Sequence, residues 1–162
     1  MLHVGETAPS FSLPDASMEM VDLSSYRGKK NVVLYFYPRD GTPACTMQAV
    51  GFTDRDTEFK RLETVILGVS PDDVLSHQAF RDEHGLTISL LADTDAEVCR
   101  LYDVIQEKVV DGRAKSSLLR STFVIDKKGV VRHILREVNP KAHVAEVLKI
   151  VREMNNGHVN AN

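Results

Sequence analysis

The sequence predicts an α/β fold: a central mixed β-sheet flanked by helices on both faces. Three observations carry this. Two apolar runs rich in β-branched and aromatic residues, "NVVLYFYP" at 31–38 and "TVILGVS" at 64–70, read as strands buried on both faces. A helical stretch lies between them, which makes a β-α-β unit. Beyond two further strands, Val144, Val147, Leu148, Val151 and Met154 recur at helical spacing.

The elements follow in order. Pro38 ends the first strand, and Thr42 and Pro43 open a helix predicted to run to about Leu62. After the second strand, Ser70, Pro71 and two aspartates read as a cap, a first-turn proline and dipole-matched acids of a helix that Gly85 closes. "LTISLLAD" (86–93) is a short strand, and 94–102 has a helical pattern with Val98, Leu101 and Tyr102 on one face. "RSTFVIDKKGVVRHIL" (120–135) reads as two strands joined by a Lys-Lys-Gly turn. Asn139 then caps the last helix, with Pro140 at its first position. This order suits a thioredoxin-like architecture.

The 162 residues, 43% of them hydrophobic, suit one domain spanning 1–162, with an ordered body from about Val4 to Met154 and a loose polar tail from Asn155. A net charge of -3 with scattered basic residues argues against a nucleic-acid partner. No window approaches the ~18 apolar residues of a membrane span and the N-terminus lacks a leader pattern, so a soluble cytoplasmic protein is expected. Two distant cysteines are too few for a disulfide framework, so any disulfide is expected to be transient.

In "GTPACT" the cap and proline place Cys45 in the first helical turn. Free N-H groups and the positive end of the helix dipole favour an anion there, so the position suits a nucleophilic thiolate. The competing reading is a small buried residue that only packs. Gln48 and Thr42 stand where a thioredoxin-type dithiol would need its second cysteine. A Cys-His pair is conceivable, yet His77, His84 and His143 fall on predicted helices among polar neighbours, where solvated faces are expected. No cysteines or histidines show metal-ligand spacing, so no metal is expected.

Pro38, Thr42 and Cys45 form P-x-x-x-T-x-x-C, and "VVLYFYPRDGTPACT" resembles the active-site segment of the peroxiredoxins of the AhpC/TSA family, in the bacterioferritin comigratory protein (BCP) or PrxQ subgroup. "VGETAPSFSLPD", "ILGVSPDDVLSHQAF", "LLADTDAEV" and "RSTFVIDKKGVV" extend the resemblance in order over nearly the whole chain. It implies a thiol peroxidase that reduces hydrogen peroxide and organic hydroperoxides. Cys45 matches the peroxidatic cysteine, which becomes sulfenic acid. Thr42 matches the residue that orients the peroxide, Pro38 the proline that shields the site from water, and Arg120 the arginine that stabilises thiolate and departing oxygen. Taken alone, Thr42 reads as an ordinary cap and Arg120 as an exposed strand-end residue.

The chain departs from the subgroup where the cycle closes. Val50 and Arg81 occupy the two usual places of a resolving cysteine, Gln48 replaces a common glutamate, and Ser117 a glycine. Only Cys99 remains, either a partly buried small hydrophobe or an unusual resolving thiol. The expectation is a one-cysteine cycle in which a small thiol, a thioredoxin or a glutaredoxin reduces Cys45 in a monomer. The alternatives are a peroxide-sensing or holdase-like interaction protein using the same cysteine, and an inert adaptor, which fits poorly with the intact set of Pro38, Thr42, Cys45 and Arg120.

Overall fold

The computed structural model describes residues 1–136 and 138–160, with the side chains of 157–160 left aside. Its centre is a five-stranded sheet built from β3 (Asn31–Phe36), β4 (Thr64–Ser70), β5 (Ser89–Ala92), β8 (Ser121–Ile125) and β9 (Val131–Arg136), in the order β5-β4-β3-β8-β9. β3, β4 and β5 run parallel, β8 runs antiparallel to β3 and β9 antiparallel to β8, so the sheet is mixed as expected. A short hairpin of β1 (Ser12–Pro14) and β2 (Met20–Asp22) precedes it.

β3 divides the core. Val33, Tyr35 and Tyr37 face one cluster and Val32, Leu34 and Phe36 the other, because successive residues point to opposite faces of a strand. The first cluster is closed by α1 (Pro43–Asp54), α2 (Asp56–Arg61), α3 (Val74–His84) and α5 (Pro140–Asn160). The second is closed by α4 (Glu97–Leu101), Tyr102, Val104 and N-terminal residues that include Ala8 and Leu23. Helices therefore cover both faces, but unequally. Gly68 of β4 pairs with Tyr35, and a Cβ there would meet the Tyr35 ring at 2.7 Å, so the strand needs a residue without a side chain under that ring.

Several sequence expectations change. The helix expected over 43–62 is two helices broken at Arg55. Phe52 of the first and Phe59 of the second enter one cluster with ring centroids 6.0 Å apart. Ser70 is not a cap but the buried end of β4; Asp73 caps α3 by accepting from the Ser76 N-H, and Gly85 closes that helix at φ 61° as expected. The strand expected over 86–93 shortens to β5, and the helix expected over 94–102 to α4, which begins only after Ala96 in a left-handed conformation. β6 (Ile105–Val110) and β7 (Arg113–Leu118) form a hairpin that was not anticipated.

α5 continues to Asn160, and the Asn155 side chain donates to the Leu62 carbonyl at 3.3 Å; 161–162 lie outside the described residues. No helix among the described residues is long and apolar enough to cross a membrane.

Candidate active site

Strand pairing builds the site. Phe36 of β3 lies opposite Ser121 of β8, so Arg120, one residue earlier, comes beside the turn that carries Pro38 to Thr42. Thr42 is the N-cap of α1, with extended backbone and a side-chain oxygen that accepts from the Cys45 N-H at 3.4 Å; Pro43 sits at the first position. Cys45 is therefore in the first turn, as its cap signals predicted. Its side chain is 1% exposed.

Arg120 brings together what the sequence separates by 75 positions. Its Nη2 donates to Cys45 Sγ at 3.1 Å and its Nη1 to Gln48 Oε1 at 3.3 Å. Gln48 is fully buried one turn beyond the sulfur, and its Nε2 has no partner among the described residues. The Thr42 hydroxyl donates to the Arg39 carbonyl at 3.3 Å. Pro38 is exposed at the rim of this turn. A sulfur at a helix start, with a guanidinium fixed beside it and backbone N-H groups near it, is an arrangement for nucleophilic attack that develops negative charge on a departing atom.

The other candidates stand apart. Cys99 belongs to the cluster on the opposite face of the sheet from Cys45 and is fully buried. Its N-H and that of Val98 donate to the Asp93 carboxylate at 2.8 and 3.2 Å. Burial, then the hydrogen bond to Asp93 and its charge, push the Cys99 thiol far above its ordinary range, which opposes the thiolate a resolving cysteine needs. Val50 packs against the Cys45-side cluster, Arg81 bonds Ser17 and Asp82, and Ser117 lies on the exposed face of β7.

The expectation of solvated histidines is overturned for two of three. His77 and His143 are buried and bonded, and His84 is partly covered, edge-on to Phe80. His143 Nε2 pairs with the Thr122 hydroxyl at 2.7 Å, and burial pushes the ring down to about 4. His77 Nδ1 meets Asp40 Oδ2 at 2.7 Å. Sequence reasoning missed Asp40 and His77 because their partners are distant in sequence; the one local signal is that His77 shares the inward stripe of α3 with Phe80. Asp40, Asp72 and His77 place potential ligand atoms within 4.8 Å of one another, but hydrogen bonds within the protein already use them.

A family model described as the AhpC/TSA family matches residues 4–134. The chain belongs to this family. Among AhpC/TSA proteins it is 40% identical over 153 residues to "Peroxiredoxin Bcp" of Bacillus subtilis, covering 94% of this chain and 97% of that one. The bacterioferritin comigratory protein of Xanthomonas campestris superposes with a TM-score of 0.87 at 32% identity, covering 90% of this chain and 92% of its own. The PrxQ of Xylella fastidiosa gives 0.88 at 31% identity, with 95% and 98% covered. The chain is thus similar to Bcp/PrxQ peroxiredoxins along nearly its whole length, and its mixed sheet has the thioredoxin fold of those neighbours.

Proposed function

We propose that the protein is a thiol-dependent peroxidase whose peroxidatic residue is Cys45. The observation that carries the site is the 3.1 Å bond from Arg120 Nη2 to Cys45 Sγ at the start of α1. The family supports the reaction: alkyl peroxide reduction activity is ascribed to the Xanthomonas relative. The Cys45 thiolate attacks one oxygen of hydrogen peroxide or an organic hydroperoxide. The S-O bond forms as the O-O bond breaks, giving sulfenic acid and, after protonation, water or an alcohol. Arg120 holds the thiolate and the oxygen that leaves with negative charge, Thr42 orients the peroxide, and Pro38 screens the mouth. The reaction calls for no metal or organic cofactor.

Re-reduction then comes from outside the chain. A thioredoxin, a glutaredoxin or a small thiol attacks the sulfenic sulfur, releasing water and leaving a mixed disulfide that a second thiol resolves. Cys99 supports this one-cysteine cycle by lying across the sheet from Cys45. All four site residues come from one chain, which suits a monomer, and the thiols required suit a reducing cytoplasm.

Peptide-mapped mass spectrometry after stoichiometric hydrogen peroxide, with a sulfenic-acid trap present, tests the reading. The expected result is trapped Cys45, free Cys99, no turnover in Cys45→Ser and retained turnover in Cys99→Ser. A Cys45-Cys99 disulfide would overturn the one-cysteine cycle, and a Cys45 that stays reduced would overturn the peroxidase itself.

A further inference from the structure

The turn that joins β3 to α1 holds Pro38 and Thr42 at its two ends, and Asp40 between them is anchored to another helix. The Asp40 carboxylate is 5% exposed and receives three side-chain bonds on two oxygens. Tyr37 Oη donates to Oδ1 at 2.6 Å, Ser76 Oγ donates to Oδ2 at 2.9 Å, and His77 Nδ1 meets Oδ2 at 2.7 Å. The backbone is held as well: the Asp40 N-H donates to Asp72 Oδ2 at 2.7 Å, and Ser70 Oγ donates to the same oxygen at 2.7 Å.

His77 is fixed at both ring nitrogens. Nε2 faces the Leu91 carbonyl at 3.0 Å, and a carbonyl only accepts, so Nε2 carries a hydrogen. Nδ1 meets an Asp40 carboxylate oxygen at 2.7 Å, with the Tyr37 hydroxyl 3.4 Å away. The ring therefore bridges a strand of the sheet to the centre of the Cys45 turn, through two hydrogen bonds inside a fully buried site. Among the described residues neither side chain hydrogen-bonds to Cys45, Thr42 or Arg120, so whatever they do for the reaction acts through the turn.

We propose that Asp40 and His77 form a buried latch that sets the Pro38-to-Thr42 turn, and with it Cys45, in the geometry for peroxide attack; both are positioning residues. The proposal rests on the peroxidase reading above. Displacement at oxygen needs the sulfur and the O-O bond in line, and an error of about 1 Å in such an arrangement costs on the order of 100-fold in rate. An untethered turn from Pro38 to Thr42 would leave that alignment to chance.

Two substitutions separate this role from a general contribution to folding. His77→Asn keeps an amide N-H near the position of Nδ1, able to reach Asp40, and gives up the Leu91 bond. His77→Gln reaches toward the place of Nε2 and the Leu91 carbonyl, and gives up Asp40. Each variant of the full chain is assayed for the second-order rate of Cys45 oxidation by hydrogen peroxide and for its alkylation by iodoacetamide, an electrophile that needs no aligned O-O bond. The ratio of the two rates reads positioning rather than exposure. The expected result is a ratio about 10- to 100-fold lower in His77→Gln and close to wild type in His77→Asn. Equal losses in the two variants, or a wild-type ratio in His77→Gln, overturn the latch. Should His77→Gln fail to fold, Ser76→Ala removes one bond to Asp40 and leaves the His77 contacts in place, and Tyr37→Phe removes another together with the 3.4 Å contact of its hydroxyl to His77 Nδ1. A lowered ratio in these supports the latch, and an unchanged one in both overturns it. A wild-type protein that peroxide does not oxidise overturns the peroxidase reading and the latch together, whereas a reactive wild type with indifferent variants overturns the latch alone.

Discussion

Arg120 divides its donors between a sulfur and an amide oxygen, and the second acceptor being neutral has a consequence. Gln48 Oε1 orients the guanidinium without neutralising it, so its charge stays available to Cys45. A lysine would bring the charge but not the planar fork that reaches two acceptors at once. Arg120→Lys is therefore expected to slow Cys45 oxidation by hydrogen peroxide on the order of 100-fold, read by stopped-flow kinetics. A variant within a few-fold of wild type would remove Arg120 from the reaction. At this scale the sequence was legible only where signals are local. Thr42, Pro43 and Cys45 declare a helix start among themselves, but nothing in the neighbourhood of Arg120 says that it reaches a sulfur 75 positions away. That pairing came through the resemblance, whose ordered motifs carry long-range information that spacing lacks. His77 misled for the same reason, since Ser76 and Gln78 beside it are polar while its own partner sits 37 positions earlier.

Among the elements, β3 and β4 followed directly from their apolar runs, because a strand covered on both faces has no polar face to interrupt the pattern. The β6-β7 hairpin was harder, though a signal exists: Asp111 and Gly112 both take positive φ, 52° and 76°, as a two-residue hairpin turn requires. Its strands are mostly exposed and mix charges with apolar residues, which hides the alternation. The β3-β4 pair also carries a constraint of its own. Tyr35 is stacked between Tyr37 and Phe52, with ring centroids 5.5 and 4.8 Å away, so it has no room to yield to a side chain at Gly68. Gly68→Ala is expected to lower the unfolding free energy by about 1–3 kcal/mol, measured by urea denaturation. An unaltered midpoint would show that the Tyr35 ring moves freely.

The molecule as a whole should be sensitive to acid through His143. Burial holds the ring neutral down to about 4, while the unfolded chain takes up a proton near the ordinary value of 6.5. Between those values the unfolded state binds more protons, so stability falls as the pH falls through this window and is fully present above it. The difference of 2.5 units, at about 1.4 kcal/mol each, sets a loss of roughly 3 kcal/mol from this residue. Urea midpoints from pH 7 to pH 4 should fall more steeply for the wild type than for His143→Gln, which does not titrate there. Parallel slopes would exclude His143 as the source.

The sheet that keeps Cys45 and Cys99 on opposite faces also fixes who sets the lifetime of an oxidised sulfur. In the one-cysteine cycle proposed above, Cys99 does not close a disulfide onto Cys45, so the chain would have no internal clock. A Cys45 sulfenic acid waits for whichever molecule arrives first, and two kinds compete for it. A thiol returns it to service, while a second peroxide drives it to sulfinic acid and out of the cycle. The working range of the protein is then a property of its surroundings, set by the ratio of thiol to peroxide and by how fast each enters a site where the sulfur is 1% exposed.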